Sequence, residues 1–207
     1  MSHSPADVAN NPLLVTDGLP RFDRIEPEHV VPAVRHVLAA AQQKIEHLEA
    51  NLEPTWAGVM RPLDAIGRPF EYAWGPVSHL MGVKNSPELR AAHEAVLGDV
   101  VSFSLRVRQS EPVYRAVKQI REGAEWNRLD EPQQRIIEQK LLNVELSGIG
   151  LQGEQRERFN AIERELSQLS TDFSNHVLDA TKAWSLIVTD AADAEGLPES
   201  FRRLAAQ

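Results

Sequence analysis

No glycine or proline interrupts the chain between Glu154 and Glu195, and within that span Phe159, Ile162, Leu166, Leu169, Phe173, Val177, Ala180 and Trp184 recur every three or four residues. That spacing puts them on one stripe of an α-helix. A helix over residues 154–184 is about 45 Å long at ~1.5 Å per residue, longer than a small domain needs across its core. The pattern therefore predicts a spine on which the other helices pack. Leu166 and Phe173 lie on the stripe, so either one changed to Ala is expected to cost about 2–5 kcal/mol.

The remaining helices announce themselves through start and stop signals. Glu26-Pro27-Glu28-His29 opens a helix whose stripe runs Val30, Val34, Val37, Ala41, Ile45, Leu48 and Leu52 as far as Glu53-Pro54. Pro27 suits the first helical position, the glutamates suit the positive end, and Pro32 is tolerable because it is still near the first turn. Thr55 can cap a second helix, which Gly58, Pro62 and Gly67 should keep short or kinked. From Arg68 to Asn85 apolar residues alternate with Pro69, Gly75, Pro76 and Gly82, so regular helix is expected only after Pro76. Ser86-Pro-Glu-Leu89 and Ser110-Glu-Pro112 each start a further helix, the second closed by Gly123. Asp130 and Gln133 form a capping-box-like pair ahead of the stripe Ile137, Leu141 and Val144. That helix stops at Ser147-Gly148 and Gly150 and turns into the long one.

Residues 185–189, Ser-Leu-Ile-Val-Thr, are short and β-branched, the best strand candidate in the chain. The fold class expected is mostly α, with antiparallel helical hairpins packed on one long helix and one short strand near the C-terminus. Residues 1–10 read as a loose, disordered polar tail and residues 11–25 as an extended segment on the helix surface, anchored by Leu13, Leu14, Val15, Leu19 and Phe22. Residues 190–207 begin a further segment that is cut off soon after it starts a helix.

Composition narrows the chemistry. There are 30 acidic against 22 basic residues, a net charge of −8, which argues against nucleic acid or an anionic membrane as partner. The absence of cysteine removes thiol nucleophiles, iron–sulfur sites and cysteine zinc sites, and suits the cytoplasm. The start of the chain has no signal-peptide pattern, and no run reaches the ~18 apolar residues of a membrane span.

Direct searches for reactive residues return helix-end and surface explanations. A zinc peptidase helix needs His-Glu-x-x-His, so that two imidazoles one turn apart hold the metal beside a glutamate base. The one His-Glu pair is His93-Glu94, and the residue four after His93 is Leu97. His93 sits beside its helix stripe and reads as a surface or rim residue. Glu26-x-x-His29 is the single match to a di-iron ligand pair, and its place at a helix start favours capping. His3, His36, His47, His79 and His176 share no ligand spacing, and there is no Gly-x-Ser-x-Gly elbow. Gly148-Ile-Gly150 is two-thirds of a dinucleotide fingerprint but follows a helix, where it serves better as a C-cap. Asn175, His176, Asp179, Thr181 and Lys182 read as a solvated helix face, with a ligand-facing wall as the alternative. No catalytic, cofactor-binding or metal-binding residue is assigned.

Longer strings carry more. Asn11-Pro-Leu-Leu14, Ile25-x-Pro-Glu-His-Val-Val-Pro-Ala-Val34, Pro76-Val-Ser-His-Leu80, Lys84-Asn-Ser-Pro-Glu-Leu-Arg90, Glu145-Leu-Ser-Gly-Ile-Gly-Leu151 and Ser174-Asn-x-Val-Leu-Asp-Ala-Thr181 occur in that order. Together they resemble the N-terminal part of the thimet oligopeptidase-like zinc metallopeptidases. The resemblance implies that residues 11–189 are a helical N-terminal domain forming one wall of a deep channel, with zinc held by a later catalytic domain that hydrolyses short peptides. Because the sequence reaches Gln207 without His-Glu-x-x-His, no catalytic or metal-binding residue carries over, and the chain reads as a truncated fragment, inactive alone, whose partner is its own catalytic domain. The alternative is a stand-alone helical module that binds a peptide or protein in a groove between its hairpins. On the fragment reading, apolar surface is left uncovered at about 25 cal/mol per Å². Self-association through residues between about Phe173 and Leu204 is then expected.

Overall fold

A computed structural model of the chain describes residues 8–206. The first seven residues of the expected polar tail lie outside the described residues, while residues 8 and 9 are helical. The helices are α1 (Pro27–Ala50), α2 (Arg61–Val83), α3 (Pro87–Arg108), α4 (Glu111–Glu122), α5 (Glu131–Leu146), α6 (Gly153–Ala183) and α7 (Glu199–Ala205). Short 3-10 turns lie at Pro12–Leu14, Ala124–Arg128 and Ala191–Ala194, and a π-helical turn, Trp56–Met60, leads into α2. The mostly α expectation holds. The expected strand does not form: no strand occurs among the described residues, and residues 184–190 have no regular structure. A β-branched stretch becomes a strand only when a neighbour takes up its backbone N–H and C=O groups.

The chain divides into two compact units, residues 1–170 and 171–207. Within the first unit the central element is α1, not the long α6. Val30, Ala33, Val34, Val37 and Leu38 of α1 enter one buried cluster with Ala73, Val77 and Leu80 of α2 and Leu89, Val96 and Val100 of α3. One turn further on, Ala41, Ile45 and Leu48 enter a second cluster with Val59, Ile66, Val113, Val117, Ile120 and Ile137. A single helix thus feeds both cores, because its apolar residues form a wide stripe. Leu13 and Ile25 are buried in the first cluster and anchor the segment ahead of α1, whereas Val15 and Leu19 are exposed.

The second difference from the sequence reading is α2, which is one continuous helix through Gly67, Pro69, Gly75 and Pro76. Pro62, Pro69 and Pro76 recur every seven residues, two helical turns, so their missing N–H groups fall on one side. Each interior proline removes a backbone hydrogen bond and strains the preceding turn. Burial of Ile66, Ala73, Val77 and Leu80 along the helix supplies the stabilisation that the local sequence lacks, on the order of 1.5–3 kcal/mol for each large side chain. Its π-helical entry is capped by Thr55, whose Oγ1 accepts from the Gly58 N–H at 2.9 Å. Gly58 is obligatory there, since a Cβ would lie 2.5 Å from the Glu53 carbonyl oxygen.

The long helix forms where periodicity places it, but none of its residues is buried. Leu166 is 53% and Phe173 70% exposed, which overturns their assignment to the core. The stripe measures how a helix divides its residues between faces; it does not say that anything covers the apolar face. In the second unit the Asp190 carboxylate caps the turn Ala191–Ala194 by accepting from the Ala192 N–H at 2.9 Å, and α7 follows with no buried residue.

Core substitutions separate the two assignments. Ile45→Ala and Ile120→Ala are each expected to cost about 2–5 kcal/mol in urea denaturation, whereas Phe173→Ala should change stability by less than about 0.5 kcal/mol. A loss at Phe173 equal to that at Ile120 would show the long helix to be a packed spine after all.

Candidate functional site

The histidines singled out by sequence fall in three different surroundings. His29 does cap: Glu26 and His29 form a capping box in which the Glu26 N–H donates to His29 Nδ1 at 3.0 Å. His79 meets the edge of Phe22, with ring centroids 5.4 Å apart. His93 is the correction. It is 7% exposed, not a rim residue, and its ring stacks on Trp74 of α2 with centroids 4.7 Å apart and planes 22° apart. Phe70 continues the aromatic layer toward Phe103 on α3, 6.5 Å away. Nδ1 of His93 is buried without a hydrogen-bond partner in the protein. Burial pushes the imidazole pKa below its usual value, so the ring is held neutral.

That environment does not suit a metal ligand. Leu97, where a second histidine would stand, is itself buried, and among the described residues no group of three or more His, Asp or Glu is placed to hold an ion. Zinc does not fit the described residues. Asn175, His176, Asp179, Thr181 and Lys182 lie on α6 within the second unit, where His176, Asp179, Thr181 and Lys182 are exposed and Thr181 Oγ1 donates back to the Val177 carbonyl at 2.8 Å. This is a solvated helix face.

The most developed polar arrangement, which motif searching missed, ties the ends of α1, α3 and α4. Glu49 of α1 accepts from both terminal nitrogens of Arg106 on α3, at 2.7 Å for Nη1, and from the hydroxyl of Ser110. Ser110 is buried and also caps α4 by accepting from the Val113 N–H. The Arg106 hydrogen bonds hold the Glu49 carboxyl below the usual carboxylate range. Next to it, Gln109 Nε2 donates to the Ser147 carbonyl at 2.9 Å and to Asn160 Oδ1 at 2.8 Å, and Arg108 pairs with Glu163 at 3.2 Å. These contacts bind the end of α3 to the turn between α5 and α6. Burial, and then the charge of Arg108, push the Lys140 ammonium pKa down.

The turn itself is the string Glu145-Leu-Ser-Gly-Ile-Gly-Leu151. Gly148 has φ +78°, the left-handed conformation that ends a helix, and a Cβ there would crowd Leu151 and Phe159 at 3.0 and 3.3 Å. Gly148 alone of the glycine pair thus serves the helix-ending role. Beside it Tyr114 donates to Glu145 Oε1 at 3.1 Å, on the wall of a shallow hollow of about 390 Å³ that also includes Glu111, Arg115, Ile149 and Gly150. What this architecture can do is hold helices in register.

Comparison with known proteins supplies what the geometry does not. Residues 34–156, more than half of the chain, match the family model described as the N-terminal domain of neurolysin/thimet oligopeptidase. The chain belongs to that family. It is 44% identical over 200 residues to the probable cytosolic oligopeptidase A of Arabidopsis thaliana, covering 97% of this chain and 28% of the relative. With oligopeptidase A of Escherichia coli it is 43% identical over 195 residues, covering 92% of this chain and 28% of the relative. Similarity is weaker to the dipeptidyl carboxypeptidase of Salmonella typhimurium, 23% over 205 residues, covering 97% of this chain and 30% of the relative. The chain spans little more than a quarter of the length of the oligopeptidase A relatives. The family match includes the Glu49–Arg106–Ser110 tie and the turn at Gly148, so these belong to the family's N-terminal domain.

Burial of His93 beside Trp74 predicts that the fold of this domain loses stability in acid. The native ring resists a proton that the unfolded chain accepts near its ordinary pKa of about 6.5, so the unfolded state binds more protons and stability falls as pH drops below that value. Urea midpoints between pH 7.5 and 5 should decline in the wild-type chain and decline less in His93→Phe, which keeps the ring against Trp74. Equal declines in both would remove His93 from the pH dependence.

Proposed function

We propose that this chain is the helical, channel-wall region of a cytoplasmic zinc metallo-oligopeptidase that hydrolyses short peptides. On this reading residues 11–189 are its N-terminal domain and residues 190–207 begin the next segment. The zinc centre and the catalytic residues reside in the part of the enzyme corresponding to the remaining length of the relatives. The observation that carries the reading is the family match together with alignment of nearly all of this chain to about 28% of the length of oligopeptidase A proteins. The cytoplasmic assignment draws on the cytosolic relative and on the absence of any described helix long and apolar enough to cross a membrane, although a second relative is named organellar.

The uncovered apolar residues support a structural partner in the rest of the enzyme. Phe173, Val177 and Trp184 are exposed, and so are Leu186, Ile187, Phe201 and Leu204. A patch of this kind marks an interaction surface. The catalytic domain is its occupant in the whole enzyme, and the long helix becomes a packed platform only there. The contribution of residues 8–170 is to stiffen the wall through the two cores around α1, so that folded proteins are kept from the reacting groups.

Two measurements test this. The 207-residue chain should show no chelator-sensitive hydrolysis of a short peptide, whereas a protein extended to the length of the relatives should lose its hydrolysis on chelation. Cleavage by the 207-residue chain that a chelator abolishes would place a metal centre within it. Sedimentation of the chain at micromolar concentration should show self-association that Phe173→Glu with Trp184→Glu weakens at least tenfold. A strictly monomeric chain that does not bind a hydrophobic dye would mean that the exposed stripe needs no cover.

A further inference from the structure

A groove of about 550 Å³ runs between the C-terminal half of α1 and the π-helical turn and first turns of α2. Its floor is Leu48 and Ile66, both buried. The α2 wall consists of Gly58, Pro62 and Ala65, whose small side chains leave the space open. Gly58 cannot be enlarged, given its contact with the Glu53 carbonyl, and Pro62 has no rotamer that could close the gap. The hollow is therefore fixed by backbone geometry and residue size.

The α1 wall carries Lys44 and His47, three residues apart and so adjacent on one helix face. No carboxylate lines the groove. The acids that flank Lys44 and His47 on α1 are engaged elsewhere: Glu46 accepts from Gln42 Nε2 at 2.6 Å, and Glu49 is held by Arg106 and Ser110. Lys44 is exposed and forms no ion pair among the described residues. Asn51 closes the end of the wall by donating to the His47 carbonyl at 2.8 Å. An otherwise acidic protein thus presents a cation at the mouth of an apolar slot.

We propose that this groove is a binding site for a small aliphatic carboxylate. The size lies within the roughly 300–1,000 Å³ of small-ligand sites, which combine an apolar lining with a few orienting polar groups. The floor and the wall opposite α1 are aliphatic, with the His47 imidazole the one ring in the lining, so a linear hydrocarbon body fits best. Lys44 offers a single ammonium, suited to one carboxylate at the rim, where no rigid fork is present for bidentate pairing. The site is separate from the proposed catalytic function and does not rest on it.

Octanoate is the probe, titrated into the isotope-labelled chain and followed by backbone amide shifts, with octanol and octylammonium as controls. Octanoate shifts should saturate and cluster on residues 43–66. Lys44→Glu should weaken binding about tenfold, a modest change for one charged contact, and Ala65→Trp should abolish it by filling the slot. Lys44 and Ala65 are exposed, and an unchanged melting temperature in each variant separates lost binding from lost structure. The proposal is overturned if octanoate shifts do not saturate, if octanol or octylammonium binds as tightly, or if Ala65→Trp binds like the parent chain. The last outcome would move the binding to another apolar surface such as that of α6.

Discussion

Helix α1 has to be covered on two sides, and the architecture of the first 170 residues follows from that. Its buried positions, from Val30 to Leu48, recur at helical spacing but form a stripe too wide for one neighbour. Ala33, Val34 and Val37 face the α2–α3 cluster, while Ala41, Ile45 and Leu48 face the cluster that includes α4 and α5. Small residues at 33 and 41 let neighbouring elements approach closely, and hydrophobic burial at about 25 cal/mol per Å² drives the rest. Helices α2 and α3 pack directly on α1, and α4 pairs with α5. The irregular helix α2 is intelligible only in this setting, because a segment with three prolines and several glycines gains its stability from the surface it buries.

Polar contacts then fix the order in which those helices meet. The carboxylate of Glu49 is largely removed from solvent yet fully engaged by the Arg106 guanidinium and the Ser110 hydroxyl. Such a group is costly when one partner is removed, because the remaining charge is left unpaired in a poorly solvated place. It sits where α3 ends and α4 begins, so the break between those helices is tied to the last turn of α1. Gln109 and Arg108 carry the same tie on to the α5–α6 turn and to α6.

Covered and uncovered surface are distributed unequally. Helices α1 to α5 each contribute buried residues, whereas α6 and α7 contribute none. The family's relatives extend well beyond the share that this chain matches. The apolar residues Leu166, Leu169, Phe173 and Val177 of α6 and Leu186, Ile187 and Val188 after it are exposed. The buried core is therefore carried by α1 and the helices packed on it, and α6 and α7 add none of it.

The helix starts were legible residue by residue. Ser86, Ser110 and Asp130 cap as their spacing indicates, Glu26 and His29 form their box, and the starts of α3 to α5 and the ends of α4 and α5 fall where prolines and glycines put them. The family was legible too, since a string such as Glu145-Leu-Ser-Gly-Ile-Gly-Leu151 combines a helix end, a left-handed glycine and a helix start in one order. These are local properties, set by which backbone groups a nearby side chain can satisfy. Burial is not local. Periodicity could not say that the α1 stripe is covered and the α6 stripe is open, that His93 lies beneath Trp74 and not at a rim, or that α2 continues through its prolines. Each of those depends on which surface arrives opposite, and only the tertiary arrangement decides that.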